Sequence, residues 1–211
     1  MKMDVGRALA LAATLASLPA VSGMAADARL GPASRVWLEG DSTLHAFTSA
    51  SRDFRVELAV PPPAGAARTL GAGIEAEAPA TMKVTIPVAS LKSDSGGLDK
   101  NLRKALRADK DPDIVFVLKE YRLEKSSAAA SVIARGALSI AGRILDRTIE
   151  ARLSTQDGRV VLDGEHPLLM TEFGIKPPTM MLGAVKTQDR IVVKFHLELE
   201  QAAEELNKEK R

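Results

Sequence analysis

From Arg55 to Glu200, apolar and polar side chains alternate with a period of two in run after run. "RVELAV" sets Val56, Leu58 and Val60 against Arg55, Glu57 and Ala59, and "ATMKVTIPVASL" sets Met82, Val84, Ile86 and Val88 against Lys83, Thr85 and Pro87. "DIVFVLKEYRLE" aligns Ile114, Phe116 and Leu118, then slips near Glu120 so that Tyr121 and Leu123 continue the apolar row. "SVIARGALSI", "RTIEARLST" and "RVVLDGEHPLLM" repeat the pattern. "RIVVKFHLELE" ends it with Ile191, Val193, Phe195, Leu197 and Leu199 on one face and Lys194, His196, Glu198 and Glu200 on the other. Such alternation gives each strand one buried and one solvated face, the habit of antiparallel sheets. Turn residues separate the runs at Ala141-Gly142 and Asp157-Gly158. Pro87 cannot donate to a ladder and predicts an edge or a bulge. About eight or nine strands make a barrel or a sandwich, and eight strands closed on themselves hold at most one small ligand.

Other segments have different rhythms. In "GGLDKNLRKALRADKDP", Leu98, Leu102, Ala105 and Leu106 fall at helical spacing, with Lys100, Arg103, Lys104 and Arg107 on the outside. This predicts a single inserted helix, with Asp99 near its start, Arg107 near its end and Pro112 stopping it. Residues 61 to 80, "PPPAGAARTLGAGIEAEAPA", read as a loop with at most a ragged strand around Leu70 to Ala76. Residues 1 to 25 carry Lys2 and Arg7, an apolar run from Ala8 to about Leu18, then Pro19 and the small residues Gly23 and Ala25. That is the layout of a cleaved secretory signal peptide. The expected division is a leader over 1–25, one domain over 26–200 and a polar tail over 201–211.

Composition narrows the function. With 45% hydrophobic and 27% charged residues, the chain is neither disordered nor a multispan membrane protein. A net charge of +2 and 3% aromatic residues supply neither the field nor the stacking platforms that nucleic acid needs. The chain contains no cysteine, which excludes disulfides, thiolate metal sites and cysteine nucleophiles.

The candidate chemistry lies in "GDSTLHAFTSASRDF", where Ser42 precedes His45 by three residues. In a strand that odd separation sends the two side chains to opposite faces, beyond nucleophile–base reach. No Gly-x-Ser-x-Gly elbow occurs. Ser42 and Thr43 therefore read as hairpin hydroxyls that satisfy local backbone groups. The three histidines, His45, His166 and His196, lack the short spacing of a preformed metal site. His45 and His166 are still free to converge across a sheet, whereas His196 belongs to a polar face. No catalytic residue, metal or cofactor is assigned.

Four stretches resemble the YceI-like family in order and spacing: "WLEGDSTLHAFTSASRDF", "VTIPVASLKSDSGGLDKNLRKALRADKDPDIVFVL", "ARGALSIAGRILDRTIEARL" and "TEFGIKPPTMMLGAVKTQDRIVVKFHLELE". The resemblance spans roughly residues 35 to 200. It implies an all-β, extended, antiparallel lipocalin-like barrel with one short inserted helix. It also implies a periplasmic or secreted protein that binds a polyisoprenoid or isoprenoid quinone without enzymatic chemistry. On that reading the ligand-binding wall comprises Val84, Ile86, Val88, Ile114, Phe116, Leu118, Leu138, Ile140, Phe173, Val193, Phe195 and Leu197. One departure stands out. Many relatives have an arginine just before an Asp-Phe-Gly element, and here that stretch reads Leu169-Met170-Thr171-Glu172-Phe173-Gly174. The residues alone leave a second architecture open, a filled barrel acting as an interaction or stress module, with the basic helix face and Met180-Met181-Leu182 as contacts. A transient membrane contact and a homodimer are compatible with either.

Overall fold

A computed structural model describes residues 26–61, 69–125, 130–156, 159–180 and 184–201. The expected leader, the Asp157-Gly158 turn, Met181, Leu182 and the tail beyond Gln201 lie outside them. The described residues form eleven β segments: β1 (Ala26–Leu30), β2 (Arg35–Ser42), β3 (Ala46–Ser51), β4 (Arg55–Val60), β5 (Thr81–Pro87), β6 (Asp113–Lys125), β7 (Ala130–Ile140), β8 (Arg143–Gln156), β9 (Arg159–Leu169), β10 (Thr179–Met180) and β11 (Val185–Gln201). Every pairing between them is antiparallel.

These segments build eight staves. β11 pairs with β9 along one edge. Its other edge is shared by β2, from Thr187 to His196, and by β1, from Leu199 to Gln201. β1 and β2 are thus one stave interrupted at Gly31–Ser34. β3 and β4 are a second, since β3 pairs with β2 while β4 pairs with β1 and β5. From β4 the ladder runs through β5, β6, β7, β8 and β9 to β11, which returns to β1. Each stave lies beside its neighbour in sequence, so this is an up-and-down, lipocalin-like barrel. The slip expected near Glu120 is a bulge in the β6–β7 ladder between Leu118 and Glu120. At Pro87, β5 gives way to a 3₁₀ turn over Val88–Ser90.

The barrel is not closed along its whole height. The β8–β9 ladder stops at Ala151↔Gly164, although both strands continue. Beyond it, residues 165 to 169 of β9 pair with β11, and residues 143 to 150 of β8 pair with β7. Pro167 lies in this part of β9. It has no N–H to donate, and prolines inside strands are tolerated where the strand is an edge. The result is a seam in the wall between β8 and β9.

Among the described residues two α-helices plug the ends, where the sequence predicted a single inserted one. Helix α1 (Leu70–Glu75) replaces the expected ragged strand. Thr69 Oγ1 accepts the Ala72 N–H at 3.2 Å as an N-cap, and Leu70 and Ile74, one turn apart, are buried. A Cβ at Gly73 would lie 2.6 Å from Val60 Cγ1, so the absent side chain lets the helix settle onto β4. A six-residue helix has no stability of its own, and packing against Val60 and Val160 decides it. Helix α2 (Gly96–Ala105) is the predicted one, capped by Ser95 Oγ accepting from the Leu98 N–H. Asp99 does more than meet the helix dipole: Oδ1 accepts from Ser93 N at 2.8 Å and Ser93 Oγ at 2.7 Å, and these bonds hold the carboxyl below its ordinary range. The helix ends well before Pro112. Arg107 adopts φ 58°, and the Ala108 N–H returns to the Arg103 carbonyl at 2.9 Å, which closes the last turn.

The packed core is therefore divided. One cluster, including Val60, Leu70, Ile74, Val160 and Leu199, fills the α1 end; another, including Val88, Leu106, Ile140, Met170 and Phe173, fills the α2 end. Ile86 and Val193 touch both. Ile74→Ala should remove about 2–4 kcal/mol, read as a lower urea midpoint at unchanged slope.

Candidate functional site

Between the two plugs lies a cavity of about 260 Å³ with an almost wholly apolar wall. On β11 the lining runs from Thr187 to Leu199, a path of about 40 Å along the strand at ~3.3 Å per residue. Leu98, Leu102 and Ala105 of α2, with Leu106 just after it, close one end, and Ile74 of α1 reaches the other.

The structure brings ten of the twelve expected wall residues to this cavity: Val84, Ile86, Ile114, Phe116, Leu118, Leu138, Ile140, Val193, Phe195 and Leu197. Val88 and Phe173 are elsewhere, each only 1% exposed inside the packed α2-end cluster. For Val88 the reason is local, because the turn after Pro87 takes it out of the β5 alternation. Phe173 sits on a 3₁₀ turn (Met170–Phe173) that folds over the seam and ends at Gly174 with φ 70°.

Three glycines face phenylalanine rings. A Cβ on Gly40 would lie 2.5 Å from Phe47 Cζ, one on Gly136 2.4 Å from Phe116 Cζ, and one on Gly164 2.4 Å from Phe195 Cζ. Gly40↔Phe47 and Gly164↔Phe195 are direct cross-strand partners. Each ring covers the bare backbone beside it, as aromatic residues do for sheet glycines. All three phenylalanines line the cavity. Sequence reasoning missed this pairing, although glycine inside an alternating strand signals close approach of another group.

The seam is laced by side chains. Arg147 Nη2 pairs with Glu172 Oε2 at 2.8 Å, and its guanidinium stands 5.4 Å from the centre of the Phe173 ring. Arg143 Nη1 donates to the Glu172 carbonyl at 2.9 Å. The stretch before Glu172 lacks an arginine of its own, and two arginines of β8 reach Glu172 instead. Asp189 secures the same turn, accepting from Thr171 N at 2.9 Å and Thr171 Oγ1 at 2.6 Å.

The histidines do not converge. His45 is exposed in the β2–β3 turn. Ser42 Oγ donates to the His45 backbone carbonyl at 2.8 Å and accepts from Leu44 N and His45 N at 3.2 Å. The hydroxyl is thereby engaged by the turn. His196, on the outer face, meets Asp163 at 2.7 Å. His166 lines the cavity. Desolvation lowers its pKa, Arg147 adds to that, and Glu172 opposes it. Among the described residues, no three His, Asp or Glu side chains form a metal-binding group.

Gly164→Ala should cost about 1–3 kcal/mol, because the new methyl meets both the Phe195 ring and the Glu150 carbonyl. Adding Phe195→Leu should restore part of the lost melting temperature. His166 resists protonation in the fold but not in the unfolded chain. Stability should therefore be full above the unfolded pKa and fall as pH drops through about 6.5 toward the lower folded value. His166→Leu should flatten that decline in urea midpoints measured from about pH 7.5 to 5.5.

The sequence profile of the YceI-like domain matches residues 42–199. Among solved structures, BcnA of Burkholderia cenocepacia is similar, at 19% identity and a TM-score of 0.60 over 80% of this chain and 96% of that one. A YceI protein of Campylobacter jejuni shares 21% identity, with a TM-score of 0.54 over 73% and 85%. A polyisoprenoid binding domain from Saccharophagus degradans, implicated in plant cell wall breakdown, shares 11%, with a TM-score of 0.57 over 84% and 99%. At these identities the likeness is one of fold. No curated protein matches the chain. Since the matched profile spans most of a chain whose strands close into the corresponding barrel, the protein belongs to the YceI-like family.

Proposed function

We propose that this protein is an exported, non-enzymatic carrier that sheathes the apolar chain of a polyisoprenoid or isoprenoid-quinone-like lipid inside its barrel. The observation that carries this reading is the apolar cavity between the two plugs. A polyprenyl chain needs a dry wall and no reacting groups, and each CH₂ withdrawn from water contributes about 0.8 kcal/mol. The ten wall residues from β5, β6, β7 and β11 are the proposed contacts. Val88 and Phe173 back that wall without touching the lipid. The similar domain from Saccharophagus degradans is described as polyisoprenoid binding, which is the same ligand class. Export rests on the leader-like pattern of residues 1–25, and periplasmic or secreted placement follows from it.

Native mass spectrometry of the protein from its own compartment, followed by mass analysis of its organic extract, tests the proposal. A stoichiometric isoprenoid or quinone is expected. A clean apo mass with no uptake of offered polyprenyl lipids would sink the carrier reading. Ala134 lines the cavity, so Ala134→Phe should obstruct it. Uptake should weaken about tenfold, equivalent to roughly two lost CH₂ contacts, while the melting temperature stays close to that of the native protein.

A further inference from the structure

The few polar groups on the cavity wall are not equivalent. The Tyr121 hydroxyl donates to the Ala78 carbonyl at 2.8 Å, and the Trp37 indole N–H donates to Glu39 Oε1 at 2.9 Å. His166 differs. Its Nε2 is buried and meets no hydrogen-bond partner among the described residues. The residue pairs with Val193 on β11, in a row with Gly164 and Leu168 beside the β8–β9 seam. Buried polar atoms are nearly always partnered, and an exception calls for an explanation. An apolar side chain would serve the wall better if the wall only packed.

We propose that His166 anchors the headgroup of the bound lipid, its Nε2 hydrogen-bonding one uncharged oxygen, an alcohol or a carbonyl, on an otherwise apolar chain. This rests on the carrier reading above. The oxygen is uncharged because the neighbouring cation is already matched: Arg147 pairs with Glu172 at 2.8 Å. An anionic head would enter this apolar site without a free counter-charge, at a large desolvation cost. A neutral imidazole nitrogen donates or accepts according to tautomer, so it serves a hydroxyl or a carbonyl equally. With the oxygen at His166, the hydrocarbon runs past Val193 and Phe195 toward the α1 end.

The test offers the purified protein three probes with the same tetraprenyl chain: the alcohol, a quinone and the plain hydrocarbon. Binding is compared by competition in native mass spectrometry. Wild type should favour at least one oxygenated probe by roughly fivefold to tenfold, the size of one net hydrogen bond. The favoured probe distinguishes a hydroxyl from a carbonyl head. His166→Leu should bring that ratio to about one, and His166→Gln should retain part of it. Without any variant, ¹⁵N spectra of the three imidazoles should show the His166 Nε2 resonance moving with the favoured probe and not with the hydrocarbon. Equal binding of all three probes, a preference that survives His166→Leu, or an unmoved Nε2 resonance would overturn the anchor and leave the carrier standing. Failure of all three to bind would overturn both.

Discussion

The architecture hangs on the two ladders of β11. This strand is bonded to β9 along one edge and to β2 and then β1 along the other, so its backbone joins the last stave to the first. Without that closure the sheet would present open edges and a long apolar face to water. β11 also carries Ile191, Val193, Phe195 and Leu197 to the lumen while Lys194 and His196 face outward to Glu39 and Asp163. Bonding and patterning coincide in one strand, and slipping its register by one residue would turn this inward apolar row outward.

Eight staves enclose more space than their own side chains fill, and the structure meets that surplus in two ways. The ends are packed, by α1 against β4 and β9 and by α2 with the two 3₁₀ turns. In the middle, where the cavity lies, phenylalanine rings are laid over glycines, which spreads aromatic surface along the wall. The resulting interior is walled almost wholly by apolar side chains. The β8–β9 seam is where backbone bonding lapses, and charged side chains hold the wall there. Arg147, Glu172 and Phe173 form the lacing, and His166 lies on the inner wall beside it.

Much of this was legible beforehand for a clear physical reason. Period-two alternation is a local signal, and it marked β4 to β9, β11 and the bulge near Glu120, while helical spacing, equally local, marked the amphipathic helix before Asp113. The short α1 escaped because six residues rich in glycine and alanine carry no helix signal beyond the spacing of Leu70 and Ile74. Val88 and Phe173 were expected on the wall because their apolar character is evident, whereas the turns that carry them into the plug are not. The glycine–phenylalanine pairs join residues from different strands, so only the register reveals them.

The sequence by itself determined the class of fold, the inward faces of the strands and the hairpin role of the Ser42 hydroxyl. Each of these follows from the direction of neighbouring side chains along one strand or turn. Tertiary structure alone decided that the barrel is plugged at both ends and hollow between, that its wall is unpaired beside Pro167, and that Arg147 reaches Glu172. It also decided that His166, one polar residue among many in the chain, lies on the cavity wall with its Nε2 unpartnered among the described residues. Those outcomes depend on which strands lie side by side and how far each ladder runs, and no local pattern carries that information.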